Sequence, residues 1–151
     1  MTEHLEIRPA TIDDVPVIVA MLADDPLGAS RESPDDLAPY REAFERIAGD
    51  PRQHLFIAER DGHPAGTFQL TIINGLSRRG TTRAQIESVR IHRGMRGTGL
   101  GSELIRWAIE AARQHGADLI QLTSDASRTD AHRFYERLGF VNSHAGFKLA
   151  L

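Results

Sequence analysis

A glycine-rich segment between a predicted strand and a predicted long helix constrains the fold of this chain most. It reads Arg96-Gly97-Thr98-Gly99-Leu100-Gly101 and follows the strand pattern of residues 83–92. A helix is expected over residues 102–115, where Leu104 and Ala108 belong to one apolar stripe. That stripe predicts packing on a sheet, which directs the N-terminus of the helix at the end of the strand. Free N–H groups and the helix dipole favour an anion there.

Three phosphate-binding motifs contain such glycines, and their spacing separates them. A P-loop needs Gly-x-x-x-x-Gly-Lys-Ser/Thr, but Lys148 is the only lysine of the chain. A dinucleotide fingerprint needs Gly-x-Gly-x-x-Gly opening a βαβ unit, whereas Gly97-x-Gly99-x-Gly101 follows a meander of strands. The coenzyme A loop, Arg/Gln-x-x-Gly-x-Gly/Ala, is matched by Arg96 and the last two glycines. A plain glycine-rich turn between strand and helix is the alternative.

The spacing of apolar residues predicts a mixed α/β fold in one domain, residues 1–151. Strands are expected over residues 5–8, 54–59, 65–73, 83–92, 119–123, 140–141 and 147–151, and helices over residues 12–23, 34–47, 102–115 and 129–138. Asp61-Gly62 indicates a tight hairpin. The order β-α-α-β-β-β-α-β-α-β-β, a meander followed by a crossover, implies a mixed sheet with helices on both faces.

Composition excludes several classes of protein. The chain has 151 residues, no cysteine and a formal net charge of −3. Without cysteine, a disulfide scaffold, a cysteine-ligated zinc site and a cysteine nucleophile are excluded. The seven histidines show no metal-motif spacing, so no metal is predicted. A slightly acidic chain without a long apolar run or a signal-peptide pattern predicts a cytoplasmic protein that has neither nucleic acid nor a membrane as partner.

A second motif lies about 35 residues after the glycine-rich segment. Residues 130–140 contain Tyr135 followed by a Leu138-Gly139-Phe140 break. With both motifs and this element order, residues 5–151 resemble the GNAT superfamily of N-acetyltransferases. The C-terminal half is similar to the bacterial aminoalkylphosphonate acetyltransferase branch, through residues 130–135 and the Ser143-His144 to Lys148 ending. The resemblance implies a GNAT-like fold and acetyl-CoA as co-substrate.

The resemblance also implies which residues bind the cofactor. The pantetheine arm would pair like an added strand with the backbone of Val89, Arg90 and Ile91. The diphosphate would lie on the N–H groups of Gly97, Thr98, Gly99, Leu100, Gly101 and Ser102, with charge added by Arg96. Arg128 stands where many family members carry an asparagine that contacts the cofactor. An arginine there would either reach a phosphate or remain solvated.

Two residues are the catalytic candidates. Tyr135 is the candidate general acid, because a phenol with an ordinary pKa of about 10 is protonated at neutral pH and can donate to a leaving thiolate. Glu87 is the candidate base that accepts the proton of the attacking amine, directly or through water. Because Glu87 alternates with Val89 and Ile91, all three side chains are expected on one face of the strand. The alternatives are a packed tyrosine and an ordinary solvent-exposed glutamate.

The resemblance implies acetyl transfer to a primary amine of a small molecule by direct attack in a ternary complex. The acceptor is expected to enter between residues 24–32 and residues 74–82. Two alternatives stay open: a peptide or protein N-acetyltransferase, and a binding protein of the same fold that senses acyl-CoA without turnover. Assembly as a homodimer is also left open.

Overall fold

The computed structural model describes residues 4–151, which form two compact units that divide after Gln121. The first unit contains ten labelled elements: β1 (Leu5–Pro9), α1 (Val15–Ala23), α2 (Gly28–Arg31), α3 (Ala38–Ala48), β2 (Gln53–Arg60), β3 (His63–Ile73), α4 (Ser77–Gly80), β4 (Arg83–Ile91), α5 (Leu100–Gln114) and β5 (Leu119–Gln121). Short 3₁₀ turns at residues 12–14 and 93–95 precede α1 and the glycine-rich segment. In the described part of the chain, no helix is both long and apolar enough to cross a membrane.

One five-stranded sheet organises this unit, with the strand order β1-β2-β3-β4-β5. The first four strands are antiparallel, and β5 is parallel to β4 because helix α5 crosses over between them. The predicted hairpin at Asp61-Gly62 is confirmed, since both residues have positive φ, 51° and 80°. The mixed sheet predicted from the sequence is therefore present.

Helices cover both faces of this sheet, as the sequence predicts. On one face, Trp107 of α5 contacts the rings of Phe56 and Phe68 edge-on, with centroids 4.9 and 6.0 Å away. On the other face, Ile57 of β2 packs with Ile18 and Met21 of α1. The core of this unit thus consists of two apolar layers that share the central strands.

A partly buried ion-pair network joins β1 to the start of α1. Arg8 donates from both terminal nitrogens to the carboxylate of Asp14, at 2.8 and 2.9 Å, and from Nε to Glu59 of β2, at 2.8 Å. Asp14 also accepts from the N–H of Thr11, at 2.7 Å. These bonds hold the pKa of the Asp14 carboxyl below its ordinary value, chiefly through Arg8. The first helix is therefore held against the edge of the sheet by charge as well as by packing.

The first residues of α3 and α5 differ from those predicted. The helix expected over residues 34–47 begins at Ala38, because Pro34 lies in a turn in which Asp36 N–H donates to Ser33 O. The helix expected from residue 102 begins at Leu100, because Gly99 adopts φ 81° and serves as its N-cap. The second change brings the helix N-terminus into the glycine-rich segment itself.

The second unit, residues 122–151, contains helix α6 (Thr129–Arg137). The strands predicted at residues 140–141 and 147–151 are wrong, because the structure has no strand after α6. Val141, Phe147 and Leu149 are largely exposed there. Alternating apolar residues favour a strand, but a strand also needs a neighbouring ladder of backbone hydrogen bonds, and these residues form none.

His54 of β2 is a titratable group in the packed part of the first unit. Its ring stacks on the ring of His115, with centroids 4.2 Å apart and planes 23° apart. Burial lowers the pKa of His54 below 6.5, and the nearby His115 lowers it further, while Asp50 opposes the change. The folded protein therefore binds a proton at His54 less readily than the unfolded chain does.

This difference predicts acid destabilisation that depends on His54. As the pH falls below about 6.5, the unfolded chain takes up the proton first, so the free energy of unfolding should decrease until the folded protein also becomes protonated at His54. His54→Phe keeps a stacking ring and should flatten this part of the pH profile. Urea unfolding between pH 7.5 and 5 measures it. The same change at exposed His63 should leave the slope unchanged, and an identical slope in His54→Phe would contradict the prediction.

Candidate active site

Strand β4 carries a bulge at Ser88, and this bulge shapes the candidate site. Glu87 pairs with Gln69, whereas Arg90 pairs with Thr67, so two residues of β4 lie opposite one residue of β3. Ser88 has φ 55°, a left-handed conformation that side chains rarely adopt. The extra residue shifts the alternation of side chains along the rest of the strand.

The bulge overturns the expectation that Glu87 shares a face with Val89 and Ile91. Glu87 pairs with Gln69, and Gln69 lines a cavity beneath α1 and α3. Ile91 instead pairs with Gly66, where an added Cβ would lie 3.4 Å from the side chains of both Ile91 and Leu104 of α5. Glu87 therefore projects to the α1 side of the sheet, and Ile91 to the α5 side, together with Val89. The carboxylate of Glu87 is exposed.

Beyond Gln85, β4 has an open edge. Strand β5 pairs only with residues 83–85 of β4, and along residues 86–91 no strand among residues 4–151 pairs with the edge of β4 that faces away from β3. His92 N–H donates to Ala65 O of β3 at 2.8 Å. Because backbone directions alternate, the groups of Arg90 also face β3, whereas those of Val89 and Ile91 face the open edge. A ligand with amide groups could add to this edge in the manner of a strand.

Two arginine side chains donate hydrogen bonds to carbonyl groups of this open edge, those of Val89 and Ile91. Arg90 Nη1 donates to Val89 O at 3.0 Å. Arg96 Nε donates to Ile91 O at 3.3 Å. Arg96 was predicted to bind a phosphate. Its side chain instead points towards β4, where it binds one of the backbone groups predicted to hold the pantetheine arm.

Two aspartates at the end of α1 bind these arginines. Asp24 pairs with Arg93, whose Nε lies 3.0 Å from Oδ2, and its backbone carbonyl accepts from Arg96 at 3.1 Å. Asp25 Oδ2 lies 2.9 Å from Arg90 Nε. Arg93 keeps the pKa of the Asp24 carboxyl below its ordinary value, and Arg96 contributes less. The cluster of Asp24, Asp25, Arg90, Arg93 and Arg96, here called the aspartate–arginine cluster, was missed by sequence reasoning.

The glycine-rich segment has the geometry of an anion cradle. Gly97 and Gly99 have φ 78° and 81°, and a Cβ placed on either would meet no atom within 4 Å. Both backbones therefore face open space that a ligand can approach closely. Helix α5 starts at Leu100 without a side-chain cap, and its first internal bond runs from Glu103 N–H to Gly99 O. The preceding N–H groups of the first turn have no acceptor within the helix.

These features fit the diphosphate of a coenzyme A. The N–H groups of residues 100–102 start a fifteen-residue helix, so the helix dipole adds to their attraction for an anion. Arg93 and Arg96 supply positive charge beside the cradle and are both exposed. Among residues 4–151, no group of three or more histidine or acidic side chains is arranged to hold a metal ion.

A cavity of about 170 Å³ lies on the α1 side of the sheet. Apolar side chains of α1 and α3 line most of it, with Ser88 and Gln69 on the sheet side, and none of its lining residues is charged. Ser88 follows Glu87 directly in the chain, and Gln69 is the strand partner of Glu87. The candidate base and the cavity therefore occupy the same face of the sheet.

Two predicted site residues lie in the second unit. Tyr135 is on α6, where its ring contacts Phe134 and Phe140 edge-on, with centroids 5.1 and 5.7 Å away. Arg128 precedes α6 as its N-cap residue, and its side chain is exposed. Its backbone N–H donates to Asp125 O at 2.9 Å, in the turn that starts the helix. The predicted roles of both side chains remain predictions.

Comparisons with known proteins bear on the family and the fold of the chain. The model of the acetyltransferase (GNAT) family matches residues 18–140. The aminoalkylphosphonate N-acetyltransferase of Salmonella typhimurium is 34% identical over 146 residues, which are 97% of this chain and 91% of that protein.

Solved structures share the fold. A Bacillus halodurans protein named a transcriptional regulator has a TM-score of 0.93 and 45% identity, over 98% of this chain and all of that one. A Clostridium acetobutylicum protein named a predicted acetyltransferase, solved with acetyl-CoA, has a TM-score of 0.74 and 16% identity, over 97% of this chain and 96% of that one. The second likeness concerns the fold alone.

Proposed function

Because the chain belongs to the acetyltransferase (GNAT) family, we propose that it transfers the acetyl group of acetyl-CoA to a primary amine of a small molecule. Both substrates bind together, and residues 1–151 act as a single N-acetyltransferase domain. The observation that supports this most is the open cradle at Gly97 and Gly99, directly after the open edge of β4. The diphosphate of coenzyme A would bind the N–H groups of the cradle, and its pantetheine arm would pair with the open edge of β4.

The cofactor contacts divide between backbone and side chains. Val89 and Ile91 offer their edge-facing N–H and C=O groups to the pantetheine arm, and residues 97–102 offer N–H groups to the diphosphate. Arg96 adds positive charge, and Arg128 is assigned to a phosphate of the cofactor because its planar fork suits phosphate oxygens. Bound acetyl-CoA supplies an activated thioester.

Glu87 and Tyr135 move the protons of the reaction. The acceptor enters as an alkylammonium, and Glu87 takes its proton through water, which its exposed carboxylate allows. The free amine then forms the new N–C bond while the C–S bond breaks, and the Tyr135 hydroxyl donates its proton to the departing sulfur. The nitrogen loses its second proton to solvent as the amide forms, and a proton from solvent restores the Tyr135 hydroxyl. The chain has no cysteine that could carry the acetyl group, so attack is direct.

The acceptor class follows from the uncharged cavity next to Ser88. The part of the acceptor that enters this cavity is apolar, because its lining offers no charge partner for a phosphonate or a carboxylate. Purified protein should be given acetyl-CoA and a panel of alkylamines, aminoalkylphosphonates and peptide N-termini, with thiol release as the readout. An alkylamine should be the best acceptor. Faster turnover of a peptide would support the peptide N-acetyltransferase instead.

One relative favours a second candidate function. The Bacillus halodurans protein, 45% identical, is named a transcriptional regulator, and a fold that binds acyl-CoA without turnover could act as a sensor. The panel separates the two functions, because a sensor would bind coenzyme A and release no thiol with any amine.

The cradle predicts that Gly99→Asp weakens coenzyme A binding. The side chain would enter the open space in front of the helix N-terminus and repel the diphosphate, so the dissociation constant should rise at least about tenfold. Gly62→Asp is the matched control, because Gly62 has φ 80° and equally open surroundings in the β2–β3 hairpin. Calorimetry on the folded variants decides, and equal affinities in the two variants would show that the cradle is misplaced.

The proposed acid predicts a loss of turnover in Tyr135→Phe. The change keeps the ring that contacts Phe134 and Phe140 and removes only the hydroxyl. Turnover should fall by a factor on the order of 10²–10⁴ if proton donation is rate-limiting. Acetyl-CoA affinity, measured separately by calorimetry, should change little. Wild-type turnover in the folded variant would refute the role.

The proposed base predicts a pH-dependent defect in Glu87→Gln. At neutral pH turnover should fall by a factor on the order of 10², and the defect should narrow at high pH, where more of the amine is already deprotonated. Glu6→Gln, the same change at an exposed position of β1, is the control. A pH–rate profile with one accepted amine measures the effect. A constant ratio to wild type at every pH would indicate that Glu87 only positions the amine.

A further inference from the structure

The aspartate–arginine cluster occupies backbone groups that the proposed cofactor would use, since its arginines bind the carbonyl groups of Val89 and Ile91. Arg96 donates to the carbonyl of Ile91 and to that of Asp24, and its Nη2 lies 3.6 Å from the carboxylate of Asp24. Arg93 binds the same carboxylate through two nitrogens. The guanidinium groups beside the cradle are therefore directed at an anion of the protein itself.

The same guanidinium groups cannot bind Asp24 and a diphosphate fully at once. Both anions are bound best by two N–H donors along one edge of a guanidinium, and Arg93 already uses its Nε and Nη2 for Asp24. Ile91 O, a proposed partner of the pantetheine arm, already accepts a hydrogen bond from Arg96 Nε at the open edge of β4. Binding of the cofactor therefore has to exchange one set of Arg96 contacts for another.

Resting on the proposed function, we propose that Asp24 competes with the diphosphate of coenzyme A for Arg93 and Arg96. Asp24 thereby sets both the affinity for the cofactor and the position of the segment that follows α1. When the arginines turn to the diphosphate, this segment loses its ion pairs with the residues after β4.

The released segment borders the expected entrance for the acceptor, residues 24–32. Within it, Asp25 Oδ1 accepts from Gly28 N–H at 2.5 Å and caps α2. The attachment of this segment to β4 and the following turn depends on Asp24 and Asp25. Cofactor binding would therefore loosen one wall of the acceptor entrance.

Calorimetry of coenzyme A binding to Asp24→Asn tests this competition. Removal of the competing charge should tighten binding about two- to fivefold, the range expected for an exposed ion pair. The gain should shrink at high salt, because exposed charges are screened. Asp35→Asn, which removes one exposed negative charge elsewhere, and Asp24→Glu, which keeps the charge, should both bind like the wild type.

Three results would overturn the proposal: weaker binding in Asp24→Asn, the same affinity as in Asp35→Asn, or equal tightening in Asp24→Glu. If Asp24→Asn does not fold, hydrogen exchange of the wild-type protein with and without coenzyme A tests the proposal instead. Added coenzyme A should speed exchange at residues 24–32 while slowing it in the first turn of α5, and unchanged or slower exchange at residues 24–32 would refute the release. Failure of the wild type to bind coenzyme A would instead refute the proposed function.

Discussion

The bulge at Ser88 is the feature on which the candidate site depends. One extra residue in β4 separates the side chains of Glu87 and Ile91 onto opposite faces of the sheet. Glu87 is thereby directed to the side of α1 and the uncharged cavity, while Val89 and Ile91 keep backbone groups on the open edge. Without the bulge, regular alternation would put the candidate base on the α5 side, against the core.

The early end of β5 contributes as much as the bulge. Pairing between β4 and β5 stops at Gln85, so the remaining half of β4 has one edge without a strand partner in the described residues. An unpaired edge attracts donors from elsewhere, and here Arg90 and Arg96 supply them. The same carbonyl groups can accept hydrogen bonds from the protein's own side chains or from a ligand. The early end of β5 therefore leaves groups of β4 that a ligand could bind.

Charge placement adds a second level of control around the cradle. Open glycines and a helix N-terminus attract an anion without regard to its source. Asp24 is an anion at the end of α1, and it already binds Arg93 and Arg96, which lie just before the cradle in the chain. The electrostatics of the site therefore depend on α1 as well as on β4 and α5.

Much of this could be read from the chain because the signals are local. The glycine-rich segment predicted the turn before a long helix, where Gly97 and Gly99 have positive φ, and Asp61-Gly62 predicted the hairpin, since these conformations belong to single residues. The family resemblance rested on two motifs and was confirmed by the family model over residues 18–140. The strands at residues 140–141 and 147–151 were wrong for the opposite reason, because a strand depends on a partner as well as on its own alternation.

The sequence by itself determined the five strands of the sheet, the long helix α5 with the glycine turn before it, and the family, because side-chain period and glycine placement act over a few residues. Only the tertiary structure decided which face Glu87 occupies and which charges meet beside the cradle. A bulge at Ser88 is defined by its register against β3, and Asp24 reaches Arg93 across 69 residues of chain. The bulge and the ion pair both depend on how separate elements pack, which a pattern within a few residues of sequence does not determine.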